Sequence, residues 1–263
     1  MEKANVYNLE GNKIGSIEIP KIFNIEPRND LIKKSIEVAQ SQNIQKQGRE
    51  MNAGLKTTAE GWGTGHGLSR APRIKGSGFP TARNVGRVPF ARGGRSTHPI
   101  KVNKKVKKKI NKKTKNLAII SAISASAKSD WIKKRGDLID KVPQIPLIID
   151  DKIQTIKKTS KIYSILCNLG FKEELKKIKK NYKKIRSGKG KRRGRKYKKS
   201  KSLLIVIKED FGIFKAARNI PGVDIIKVEN LSINDLAPGG HAGRVTIWTQ
   251  SAFIELYKYE VYV

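Results

Sequence analysis

The chain has 263 residues, with 57 lysines and arginines against 22 aspartates and glutamates, a formal charge of +35. A compact fold gains nothing from such self-repulsion, so the charge implies a polyanionic partner. The single cysteine, Cys167, excludes a disulfide framework and a cysteine-based zinc site. No run reaches the roughly 18 to 20 apolar residues of a membrane span, and Met1 to Tyr7 lack an apolar secretion segment, so the expected setting is reducing and away from membranes. At 37% hydrophobic residues, the composition predicts one core with large parts outside it.

The charge is unevenly placed. Residues 1–43 balance at zero and residues 203–263 sum to −1, so residues 44–202 carry +36. Ordinary globular ends therefore flank material suited to phosphate.

In chain order, Val6 to Leu9 and Ile14 to Ile19 read as short strands around the turn Glu10-Gly11-Asn12. Leu31, Ile32, Ser35, Ile36 and Ala39 follow helical spacing from Asn29. Residues 48–98 then hold eleven glycines and nine bases (Arg49, Lys56, Arg70, Arg73, Lys75, Arg83, Arg87, Arg92 and Arg95) against two acids, with almost no aliphatic runs. Arginine predominates here, and its planar fork binds phosphate bidentately and stacks on bases. Glycine lets the backbone approach a rigid surface, and Trp62, Phe79 and Phe90 add flat faces for stacking. A flexible linker is the rival reading, but linkers favour Ser, Pro and acids over Arg and Trp.

Residues 101–115 follow with nine lysines in fifteen positions. Leu117 to Ala127 reads as a small-residue helix, Ile145 to Ile149 as a buried strand, Ile153 to Leu169 as a helix ending at Gly170, and Phe171 to Ile185 as a second, basic helix. Residues 172–201 hold seventeen bases against Glu173 and Glu174, a density that keeps a segment extended or weakly helical until neutralised. Leu203 to Ile207, Val223 to Val228 and Val245 to Thr249 read as strands, with helices at Phe214 to Asn219 and Gln250 to Lys258. This alternation predicts an α/β fold: a three-layer, parallel-sheet globular domain built from about 1–43 and 101–263, with a long, irregular Gly/Arg-rich loop, 44–100, inserted near its N-terminal third.

Catalytic and cofactor patterns are missing. Gly61, Gly63, Gly65 and Gly67 do not form G-x-G-x-x-G and follow no clear strand. Ser187 to Lys191 resembles a P-loop without its upstream glycine, and Arg192 stands near where a magnesium-binding hydroxyl is needed. Asp150-Asp151 closes a strand with no second acidic cluster, which favours a helix N-cap. His66, His98 and His241 lack the spacing of a metal pair, and Cys167 falls in an apolar helix stripe. No catalytic residue, metal or cofactor is expected.

Several stretches resemble a known family. Ala53 to Gly65 (AGLKTTAEGWGTG), Gly93 to Pro99 (GGRSTHP), Gly190 to Tyr197 (GKRRGRKY), Ala216 to Val223 (AARNIPGV) and Leu236 to His241 (LAPGGH) are similar, in order, to the fourth large-subunit ribosomal protein family in its archaeal and eukaryotic branch. The resemblance implies a cytoplasmic structural protein that binds large-subunit ribosomal RNA early in assembly. Its globular domain would lie on the outer surface of the subunit. Its loop would line the polypeptide exit tunnel opposite the twenty-second large-subunit protein, with Arg70, Pro72, Arg73, Ile74 and Lys75 nearest the nascent chain. The end at Val263 matches archaeal rather than eukaryotic length.

The expected RNA-binding residues are the nine loop bases together with Trp62, His66 and His98, and, in the second basic run, Lys189, Lys191, Arg192, Arg193, Arg195, Lys196 and Tyr197. An RNA-modifying enzyme and a nucleic-acid-compacting protein are the alternatives. The first needs a glycine-rich cofactor turn that is absent, and the second needs no Arg/Gly loop between neutral halves.

Overall fold

The computed structural model describes residues 3–262, with side chains for 3–259. It divides into two units, Met1–Gln40 with Lys109–Val263, and Ser41–Lys108.

The first unit is built on a six-stranded sheet. Its strands are β1 (Lys3–Tyr7), β2 (Lys13–Glu18), β5 (Leu147–Ile149), β6 (Leu204–Ile207), β7 (Asp224–Lys227) and β8 (Thr246–Thr249), in the order β2-β1-β5-β8-β6-β7. The inner strands β5, β6 and β8 are buried on both faces, which is why they read as unbroken apolar runs without alternation. Val6, Ile148, Leu204, Val206 and Trp248 point to one face; Tyr7, Leu147, Ile149, Ile205, Ile207 and Ile247 point to the other.

Helices cover both faces. On the first lie α1 (Asn29–Gln42), α2 (Lys112–Ser126), α7 (Ile233–Leu236) and α8 (Gln250–Glu255), around an aromatic group in which Phe23 stacks on Phe253 at 5.4 Å and meets Trp248 edge-on at 6.3 Å. On the second lie α3 (Ser129–Arg135), α4 (Thr159–Leu166), α5 (Lys172–Asn181) and α6 (Ile213–Ala217). The α/β expectation and its three layers are therefore met.

The parallel-sheet expectation holds for four of the five strand pairings, and the fifth, β1 with β2, is antiparallel through the short turn at Gly11, with β2 as an exposed edge. A two-strand hairpin needs only a tight turn, whereas parallel neighbours need a crossover.

Other boundaries shift for physical reasons. The helix expected over 153–169 is a single-turn 3₁₀ segment, Asp151–Thr155, followed by α4. Asp150 caps that turn by accepting from the Lys152 N–H at 3.4 Å, as the N-cap reading requires. Gly170 separates α4 from α5 at φ +94°, where a Cβ would lie 2.2 Å from the Lys141 carbonyl oxygen. The basic helix stops at Asn181 rather than Ile185, since past Ile178 there is no further buried apolar residue to hold it. The small-residue helix α2 begins at Lys112, earlier than its apolar stripe, and α3 and α7 are short helices not anticipated from the sequence.

Candidate nucleic-acid interface

The second unit is folded rather than structureless. Strands β3 (Ala59–Glu60) and β4 (Arg73–Ile74) pair antiparallel, and Arg73 bridges to Val85 on the other side. The Ile74 N–H donates to Asn84 O at 2.9 Å and the Gly86 N–H to Pro72 O at 2.9 Å. The result is a small meander with β4 in the middle, and its two connections, 61–72 and 75–84, lie at opposite ends of β4.

Missing side chains bring the two arms together. Gly54, at φ +81°, packs so closely on Gly94 that a Cβ would lie 2.4 Å from that backbone, and a Cβ on Gly94 would fall 1.9 Å from the Val88 carbonyl oxygen. Gly54→Ala is therefore expected to separate the arms, read as several-fold faster trypsin cleavage after Arg92 and Arg95, with no change in the melting of the globular unit. At the base, the Arg49 N–H donates to Ile100 O at 3.1 Å and Gln42 Nε2 to Lys108 O at 2.8 Å. Ile44, Ile100 and Val102 floor an open groove of about 410 Å³ whose rim carries Lys46, Lys101, Lys104 and Lys105.

The expected loop residues fall into two groups. Four have side chains bonded to partners of the loop itself, although Lys56, Lys75 and Arg87 stay exposed. Lys56 pairs with Glu50, Lys75 with Glu60 at 2.5 Å, Arg73 donates to the Arg83 carbonyl at 3.0 Å, and Arg87 Nε donates to the Leu55 carbonyl at 3.2 Å. Glu60 is held below its ordinary value by the hydrogen bond and charge of Lys75.

The rest face outward. Arg49, Arg70, Arg83, Arg92, Arg95, His66 and His98 are exposed, and Phe90 is 78% exposed. Trp62 is half-buried with its ring edge-on to His66 at 5.8 Å. Both acids of residues 48–98 are thus taken by lysines, which leaves the exposed arginines without an acidic partner among the acids of this segment. Of the segment 70–75, Arg70 is exposed, Pro72, Arg73 and Ile74 are half-buried around β4, and Lys75 is held by Glu60.

A second basic element projects from the first unit. After α5 the chain forms a hairpin finger: the Arg186 N–H donates to Lys196 O at 2.8 Å, the Lys198 N–H to Lys184 O at 3.2 Å, and Ile185 bridges Tyr197. Gly188 and Gly194, at φ +79° and +78°, bound a 3₁₀ tip over Lys189–Arg193. Lys189, Lys191, Arg192, Arg193, Arg195 and Lys196 are all exposed, and Lys196 lies over the Tyr197 ring at 5.6 Å.

The acids of this run face elsewhere. Glu173 pairs with Lys141 at 2.5 Å, and Glu174 is buried, accepting from the Leu138 N–H at 2.9 Å and the Ser202 hydroxyl at 3.0 Å. The glycine pair at 188 and 194 is the sequence signal that marks this turn; the composition of the run alone suggested a segment that is extended or weakly helical.

Sequence reading missed a buried ionic group where the finger returns to the sheet. Arg244, fully buried, donates to the Ser202 carbonyl at 2.6 Å, the Leu203 carbonyl at 2.9 Å, the Asp235 carbonyl at 2.8 Å and the Asp224 carboxylate at 2.6 Å. Burial works to raise the Asp224 carboxyl, but the charge and hydrogen bonds of Arg244 and Lys201 outweigh it and hold the carboxyl below its ordinary value. Nearby, Arg135 pairs with Asp137 at 3.1 Å and donates to the Lys201 carbonyl at 2.7 Å; burial pushes Asp137 up.

The carboxylates at the strand ends are structural. Asp151 accepts from the Ser251 N–H at 3.1 Å, the Ser251 hydroxyl at 2.7 Å and Gln154 at 3.0 Å, which fastens the start of α8.

With this geometry in view, the comparisons are specific. Residues 17–259 match the model of the ribosomal protein L4/L1 family. The large ribosomal subunit protein uL4 of Methanosphaera stadtmanae is 45% identical over 256 residues, covering 97% of this chain and 96% of that protein. Those of Methanococcoides burtonii and Methanopyrus kandleri are 43% and 40% identical, covering 97% and 95% of this chain and 98% and 96% of theirs.

Proposed function

Because the chain belongs to the ribosomal protein L4/L1 family, we propose that its Arg/Gly loop and its basic finger are two arms that grip folded large-subunit ribosomal RNA from one neutral frame. It is a structural constituent of the large subunit of the cytoplasmic ribosome. The observation that carries the two-arm reading is the fate of the acids: Glu50, Glu60 and Glu173 are each paired with a lysine at the surface and Glu174 is buried, so the bases of both arms outnumber the acids that could offset them and flat rings stand among them. Exposed lysine and arginine neutralise phosphate, while Trp62, Tyr197 and the guanidinium planes stack on bases.

The role is structural rather than catalytic, in keeping with the use of Asp150 as the cap of a 3₁₀ turn and of Asp151 as the acceptor that ties Ser251 to it. The loop is assigned to the exit-tunnel wall beside the twenty-second protein, with Arg70 and its neighbours toward the nascent chain; the exposure of Arg70 and the family resemblance of the loop's two ends support this.

The finger is tested by neutralising its tip. The variant Lys191→Ala/Arg192→Ala/Arg193→Ala is expected to bind large-subunit ribosomal RNA with a salt dependence shallower by about 2 to 3 in log K against log[salt], at about 0.7 to 0.9 for each phosphate no longer neutralised. An unchanged slope rejects the finger as an RNA arm.

A further inference from the structure

The root of the finger is held more firmly than a chain connection requires. Three successive carbonyls, those of Lys201, Ser202 and Leu203, each accept from a guanidinium: Arg135 takes the first at 2.7 Å, and Arg244 takes the second at 2.6 Å and the third at 2.9 Å. Glu174 accepts the Ser202 hydroxyl at 3.0 Å, Lys201 pairs with Asp224 at 3.1 Å, and the Ser202 N–H donates to Gly222 O at 2.9 Å. Lys201 and Ser202 precede β6, so these bonds lie outside the sheet ladder, where the chain leaves the finger. The arginines come from distant places, the end of α3 and the approach to β8, and both side chains are withdrawn from solvent, at 10% and 0% exposure.

We infer that Arg135 and Arg244, assisted by Glu174, are positioning residues for RNA binding, which fix the finger at its root so that the exposed tip meets phosphate as a rigid arm. This rests on the reading of the finger as an RNA arm. The tip ends eight residues before Lys201, at most roughly 26 Å at strand rise, so about 10° of play at the root moves the tip by up to about 4 to 5 Å. That displacement is larger than a charge-assisted hydrogen bond tolerates. A finger free at its root can still reach phosphate, but it loses conformational freedom on binding that a fixed finger has already given up. Neither guanidinium is available to RNA, since each is engaged with backbone carbonyls.

The two roles leave different signatures. Removing a phosphate-binding charge flattens the salt slope, whereas freeing the root lowers affinity by the same factor at every salt concentration and leaves the slope alone. Full-length Arg135→Met, titrated with large-subunit ribosomal RNA across a potassium chloride series and corrected for the active fraction, is expected to bind about tenfold more weakly with an unchanged slope. Trypsin should also cut within 183–199 several-fold faster, with cleavage in the loop unaltered. Arg135→Lys, which keeps the charge but loses the fork joining Asp137 to Lys201, should fall between, and it serves as the comparison if Arg135→Met does not fold. Unaltered affinity and unaltered trypsin sensitivity of the finger in both variants would overturn the proposal. An unchanged slope in the tip variant instead overturns the RNA reading beneath it.

Discussion

Replacing residues 48–98 with a short Gly-Ser bridge is expected to weaken binding to large-subunit ribosomal RNA by at least about a hundredfold near 0.1 M salt, and to flatten its salt dependence by about 3 to 6 in log K against log[salt]. The segment holds nine bases and two acids. Glu50 and Glu60 neutralise Lys56 and Lys75, which leaves seven arginines: Arg73 and Arg87 bonded to loop carbonyls yet still charged, and the other five exposed. At about 0.7 to 0.9 per neutralised phosphate, roughly four to seven such phosphates give the stated change. The globular unit has its own sheet and its own core on each face, so its thermal transition should survive the deletion. If the affinity and slope stay as they are in the intact protein, the loop is not an RNA-binding arm.

The largest effect on stability is expected at Arg244. In Arg244→Met the carbonyls of Ser202 and Asp235 lose the guanidinium donor, that of Leu203 keeps only the Asp224 N–H, and the Asp224 carboxylate keeps only Lys201. Breaking a buried pair in this way costs about 3 to 5 kcal/mol, because the abandoned groups stay desolvated, although Asp224 is partly open to water. A midpoint lower by about 10 °C in thermal unfolding is the expected reading. Acid sensitivity should change with it. A carboxyl held below its ordinary value in the folded state stabilises above the unfolded pKa of about 4, and that contribution is lost as pH falls through the lowered value. Without Arg244 the depression shrinks, so the variant should lose less further stability on acidification than the unaltered protein. A loss below about 1 kcal/mol would show that the network adds little beyond packing.

Much of the frame could be read directly because burial leaves a local record. Leu147 to Ile149, Leu204 to Ile207 and Thr246 to Thr249 are apolar runs because their strands are covered on both faces, and Gly170 marks a helix break because no other residue tolerates its backbone there. The positions of the basic arms were equally visible, since charge density needs no partner in the fold to be counted. Their shapes were not. The meander around β4 depends on Gly54 meeting Gly94 and Ala59 meeting Gly86, approaches between residues 27 to 40 positions apart. The finger at 184–198 is a hairpin because backbone pairing and two left-handed glycines outweigh helical propensity in a chain that repels itself.

The sequence by itself determined the division of labour in this protein: a near-neutral α/β frame, an Arg/Gly loop and a Lys/Arg run, with +36 confined to residues 44–202. Composition and periodicity are properties of neighbouring residues, so they survive without a fold. Only the tertiary structure decided which charges remain for a partner. Arg135 and Arg244 count toward the same +35 as Arg192, yet they are buried against carbonyls at the finger's root, while Arg192 is exposed at its tip. Whether a guanidinium meets a carbonyl or a phosphate is settled by desolvation and distance, and those exist only once remote segments have packed together.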